Sequence, residues 1–185
     1  MRSKRFAALL AAVSLSALAA ACASLGSARP PLVLVPDVDP ARYAGRWYEV
    51  ARYDHAFERG LVGVTAVYEL RPDGRIGVTN AGFRGALDGK SETVRAVARV
   101  PDPAVPGRLK VKFFNLFEAD YLIIGLDEAG YSWAVVGENG RGYLWFLSRT
   151  PRADPAALDE MTVVAVAAGY DPSRLLTVPQ AAGPE

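Results

Sequence analysis

The chain has 185 residues, 51% of them apolar, which suits one domain with a real core and is too short for two full-sized enzyme domains. Its 21 basic and 20 acidic residues nearly cancel, so it carries no electrostatic footprint for nucleic acid. A single cysteine and a single histidine exclude an intrachain disulfide and a zinc site built from Cys and His ligands.

Residues 1–21 read as a secretory signal, with Arg2, Lys4 and Arg5 as the charged start and Phe6 to Leu18 as the apolar run. That run is too short for a comfortable membrane span. Ala19-Ala20-Ala21 stands directly before Cys22, with Leu18 one place earlier than usual, and this resembles a bacterial lipobox. The resemblance implies that Cys22 carries acyl chains. Two or more such chains anchor a protein durably, whereas a free thiol in an oxidising envelope would be a liability. Ala23, in place of aspartate, resembles the outer-membrane sorting signal of enteric lipoproteins. Residues 22–38, rich in Ala, Ser and Pro, read as a lipidated tether, with Leu32-Val33-Leu34-Val35 as an apolar stretch suited to lie against the domain.

The domain is expected over 39–180, with 181–185 as a tail. Asp39-Pro40 opens a short helical turn, with Asp39 as N-cap and Pro40 at the first helical position. Eight strands follow, at about Arg46–Asp54, Val62–Leu70, Arg75–Phe83, Glu92–Val100, Arg108–Phe114, Tyr121–Asp127, Tyr131–Gly137 and Tyr143–Arg149. Turn formers such as Pro72-Asp73-Gly74 and Asn139-Gly140 separate them. Short strands at even spacing predict an all-β barrel or sandwich. Alternation supports one dry and one wet face: Leu109, Val111 and Phe113 oppose Lys110 and Lys112. Asp154-Pro155 then caps a helix to about Ala168, ended by Gly169, with Leu158, Met161, Thr162 and Ala165 on one face. Such a helix packs outside the barrel. Arg174–Val178 is suited to a final edge strand.

Gly45-Arg46-Trp47-Tyr48-Glu49 resembles the Gly-x-Trp signature of the lipocalin family. Val50 to Gly60 and Tyr143 to Pro151 are similar to the first and last strands of its bacterial outer-membrane subgroup, relatives of apolipoprotein D. The resemblance covers roughly residues 37–180 and implies an eight-stranded antiparallel up-and-down barrel with a C-terminal helix outside. It departs at Asn115–Asp120, where the family carries glycines and a proline. It also implies that Gly45 and Trp47 sit at the closed end and that Arg149 lies over the Trp47 indole, tying the first strand to the last.

A barrel of eight strands holds side chains or one small ligand. Strict alternation puts Glu49 and Tyr53 on the Trp47 face, Tyr68 on the second strand, Phe113 on the fifth, Trp133 on the seventh and Trp145 on the eighth. If these faces point inward, they line a cavity suited to a fatty acid or lysophospholipid. Plain core packing is the rival reading for each of them. A buried Glu49 needs a partner, either an arginine, a tyrosine hydroxyl or the ligand. His55 and Arg59 fall in the loop after the first strand; His55 reads as a solvated loop histidine and Arg59 as a solvated cation or a headgroup contact. No Gly-x-Ser-x-Gly elbow is present and the one histidine lies in a loop, so an enzyme is not expected. A packed barrel that binds another envelope protein is the alternative, and a homodimer is compatible with either reading. No cofactor is expected.

Overall fold

The computed structural model describes residues 29–113 and 117–181. The leader, Cys22 and the end of the tail lie outside the described residues. The compact unit begins at Pro31, so part of the segment read as tether belongs to the domain. Leu32 and Val35 are buried, and the Val35 amide donates to the Ile123 carbonyl at 3.0 Å.

Helix α1 (Pro40–Tyr43) leads into β1 (Gly45–Tyr53), β2 (Leu61–Leu70), β3 (Ile76–Arg84), β4 (Ser91–Arg99) and β5 (Arg108–Phe113). Strands β6 (Phe117–Leu126), β7 (Trp133–Gly137) and β8 (Leu144–Ser148) follow, then α2 (Pro155–Ala167) and a short β9 (Leu175–Thr177). Among the described residues the nine strands form one antiparallel sheet, each of β2 to β7 paired to the next and β1 to both β8 and β2. Eight strands therefore close on themselves, which removes the sheet edges. Strand β9 adds to β1.

Tyr131 and Tyr143 stand outside the strands expected to begin with them. Tyr131 has φ 52, which strand backbone cannot take. Asp127 holds the turn before it, accepting from the Gly130 amide at 3.0 Å and the Ser132 hydroxyl at 2.7 Å. Both helices are capped as their sequences dictate: Asp39 accepts from the Ala41 amide and Asp154 from the Ala156 amide, each at 2.8 Å.

The fold contains two apolar layers. The inner one fills the barrel with Trp47, Tyr68, Val78, Ala98, Leu109, Val111, Val136 and Leu147. The outer one lies between the wall and α2 and includes Tyr53, Leu122, Trp133, Val135, Phe146, Met161 and Ala165. Strands β6 to β8 are thus covered on both faces, which is why Trp133-Ala134-Val135-Val136 is a continuous apolar run.

A β-bulge divides β1. Glu49 faces Leu147 of the inner layer, but Ala51 faces Phe146 of the outer layer, with one residue inserted between them. Beyond the bulge the side chains exchange faces. The barrel seam changes there too. β1 pairs with β2 from Gly45↔Tyr68 to Tyr48↔Thr65, and then β9 takes that side at Ala51↔Thr177 to Tyr53↔Leu175. The segment after β9 completes the closure. Val178 donates to the Val50 carbonyl at 3.0 Å, Gly63 donates to the Pro179 carbonyl at 2.7 Å, and Gln180 Nε2 donates to the carbonyls of Glu49 and Val64.

Candidate functional site

At the closed end, Trp47 is fully buried and its indole N–H donates to the Tyr43 carbonyl at 2.8 Å. The Arg149 guanidinium lies 3.8 Å over the Trp47 ring. It also donates to the carbonyls of Arg42 at 2.6 Å and Arg46 at 2.9 Å, so it joins α1, β1 and the end of β8. Gly45 has φ 96, and an added Cβ would lie 3.3 Å from Arg149, so this turn needs glycine on both counts. Beside this floor a hollow of about 10 Å³, bordered by Tyr43, Tyr68, Leu109 and Ile123, has room for one water and none for a lipid.

Above the floor, Tyr68 donates to the Tyr121 hydroxyl at 2.8 Å, and that hydroxyl shares a 2.7 Å bond with Tyr43. Burial pushes all three phenols above their ordinary range. Strands β2 and β6 and helix α1 are thereby joined by neutral hydroxyls inside the barrel.

A charged cluster lies at the β1 bulge and the loop from β1 to β2. Glu49 pairs with Arg52 Nη1 at 2.6 Å, and both are buried. Arg52 Nη2 donates to the carbonyls of Glu58 at 2.9 Å and Leu61 at 3.1 Å, which holds the β1–β2 loop down. The Glu58 carboxylate accepts from the Trp145 indole at 3.1 Å and lies 3.0 Å from His55 Nε2, the latter contact off the line of a hydrogen bond. Burial first, and then the neighbouring Glu58 carboxylate, push Glu49 well above the usual carboxylate range. No group of three His, Cys, Asp or Glu side chains among the described residues could hold a metal ion.

The residues singled out in the sequence divide by this geometry. Glu49, Tyr68, Phe113 and Trp145 belong to the inner layer or its polar cluster. Tyr53 and Trp133 do not. The bulge turns Tyr53 outward, where its hydroxyl donates to the Asp171 carbonyl at 2.8 Å and its ring meets Tyr170. Trp133 lies under α2, against the same Gly125 surface as Val164. His55 is not solvated: it is 6% exposed and its ring stacks on Phe57 at 4.0 Å, with Trp145 at 5.4 Å. Arg59 is exposed and paired with Asp54 at 2.8 Å. Sequence reading missed Arg52, because strict alternation places it opposite Glu49 and only the bulge brings the two together. Glu58, a carboxylate whose partners the sequence leaves open, meets the Trp145 indole and the His55 ring.

The Lipocalin-like domain family matches residues 38–180. The chain is a lipocalin. This lipocalin is 42% identical over 177 residues to the outer membrane lipoprotein Blc of Escherichia coli K12, covering 93% of this chain and 96% of that one. It is 34% identical to temperature-induced lipocalin-1 of Arabidopsis thaliana over 82% of this chain and 84% of that protein. Among solved structures, insecticyanin from the tobacco hornworm aligns with a TM-score of 0.67 at 17% identity, over 82% of this chain and 86% of that one, a likeness of fold. Small hydrophobic ligand binding is the business of this family.

Proposed function

We propose that this lipocalin carries a single-chain lipid, a fatty acid or a lysophospholipid, inside its barrel, and that a lipid on Cys22 holds it at the outer membrane. The observation that carries the reading is on the inner face. Ala66, Phe113 and Trp145 pack against the buried inner layer yet remain partly exposed, so apolar side chains of this face can be reached from solvent. Apolar walls with a few convergent polar groups favour an amphiphile over a sugar or a nucleotide. The membrane part rests on the lipobox-like Ala19-Ala20-Ala21-Cys22 and on the likeness to a protein named outer membrane lipoprotein. The family background gives no support to an enzymatic reading. Storage or transport of membrane-derived lipids is the role that follows.

Native mass spectrometry of residues 23–185 purified from cells, followed by extraction of any bound molecule, tests the reading. A stoichiometric fatty acid or lysophospholipid is the expected result. An empty protein that also refuses a fluorescent fatty acid would favour a packed barrel that binds an envelope partner through its outer surface.

A further inference from the structure

The path of residues 32–39 shows from which end of the barrel the tether departs. Asp39 lies at the closed end, where its amide donates to the Tyr131 hydroxyl at 3.0 Å. Val35 lies partway along the wall, bonded to Ile123. Leu32 is at the opposite rim: its amide donates at 3.0 Å to Oδ1 of Asn139, in the turn from β7 to β8. Cys22 precedes Pro31, where the compact unit begins, by nine residues. Fully extended, nine residues reach about 30 Å, which is also about the length of a nine-residue strand such as β1. An acyl anchor on Cys22 therefore meets a bilayer at the Asn139 rim with chain to spare. It meets one at the closed end only if the tether is drawn straight along the whole wall.

That rim is also where the barrel exposes aromatic surface. The β7–β8 turn ends at Tyr143, 39% exposed, and the β1–β2 loop carries Phe57, 58% exposed. Their ring centres lie 5.9 Å apart, and Tyr143 stacks on Trp145 at 5.8 Å, so the two loops present one surface. The β3–β4 turn adjoins them, with the Gly85 amide on the Gly60 carbonyl at 2.8 Å, and adds Leu87, 38% exposed. Single exposed apolar residues are ordinary, but three on adjoining loops at one rim mark an interaction surface. Charges of these loops are paired, Asp54 with Arg59 at 2.8 Å and Arg84 with Glu92 at 2.6 Å. Pairing lowers the cost of bringing them to an apolar boundary.

We propose that this rim docks on a phospholipid bilayer, with Phe57, Leu87 and Tyr143 entering the headgroup boundary and the Trp47 end pointing away. Tyr143, an apolar ring with a polar tip, suits that boundary, and Phe57 and Leu87 gain by leaving water. The tether keeps the patch near the bilayer, so a contact too weak to hold the free protein suffices for the anchored one. This assignment rests on the acylated Cys22 proposed above and adds the face that the anchor presents.

The test uses the full chain purified from membranes, its mass recorded, in vesicles of phosphatidylethanolamine and phosphatidylglycerol. Hydrogen exchange is compared with that of residues 23–185 free in solution, which keep the whole compact unit. Amides of loops 54–60, 85–90 and 138–143 should exchange about tenfold more slowly on vesicles, and those of turns 71–75 and 101–107 at unchanged rates. Phe57→Asp puts a charge in the patch and should return the rim loops to within about twofold of the free protein; unchanged exchange in β4 and β5 verifies that its barrel is intact. No slowing at the rim, or equal slowing at both ends, overturns the docking face and leaves the anchor standing. Slowing that survives Phe57→Asp overturns it too, because the tether alone would then cause it. A full chain without acyl mass on Cys22 removes the anchor and this assignment with it.

Discussion

Arg149 shows how much one side chain can organise in this barrel. Its guanidinium covers the Trp47 indole and donates to carbonyls of Arg42, Tyr43, Arg46 and Tyr131. Arg149→Met would keep the apolar stem and leave those carbonyls without their donor. Summing a cation–π contact and the lost charged hydrogen bonds, it should lower stability by about 2–3 kcal/mol in urea unfolding. An unchanged midpoint would show that the closed end is held by packing alone. Glu49 makes a different prediction, in pH. Its carboxyl holds a proton more tightly in the folded protein than in the unfolded chain, where it titrates near the ordinary 4.5. Below that pH both states are protonated and the contribution is fully present. As pH rises through the raised folded value, the contribution is lost. Glu49→Gln has no proton to lose, so its stability relative to the wild type should shift in the variant's favour as pH climbs. Unfolding curves over that range check the sign, and a pH-independent difference would remove Glu49 from the linkage.

At the scale of elements, the bulge in β1 and the segment after β9 act together. The bulge frees the β1 backbone from β2 beyond Tyr48, and residues 175–180 occupy the gap. Chain truncation after Arg174 should therefore expose the Gly63 amide, whose acceptor is the Pro179 carbonyl. Hydrogen exchange read residue by residue should show Gly63 losing protection while β4 and β5 keep theirs. Uniform loss across the sheet would mean that the segment is needed for the whole barrel and not for its seam. The strands themselves were legible from alternation and turn residues, and the two N-caps from Asp-Pro pairs. Exact strand ends were not, because they depend on local backbone such as the positive φ at Tyr131. The bulge was not legible either: one inserted residue leaves no mark in a sequence that still alternates, yet it reverses every face after it.

At the scale of the molecule, the barrel and its helix form two layers of apolar contact sharing one wall. Read alone, the sequence yields the all-β class, the outer helix, the capped turns and, through Gly45-Arg46-Trp47 and the blocks resembling the family, the lipocalin assignment. Those features are local or periodic, and local chemistry is written residue by residue. It placed Glu49 among residues needing a buried partner for the same reason, since a charge cannot be taken from water uncompensated. The folded barrel selects the partner: Arg52 reaches Glu49 because the β-bulge turns it inward, and Glu58 arrives from the β1–β2 loop that Arg52 holds through its carbonyl. It also decided that Tyr53 and Trp133 serve the layer under α2, whereas Phe113 and Trp145 serve the interior. A two-sided wall gives apolar side chains two places to be buried, and hydrophobicity alone does not distinguish them; closure of the sheet does.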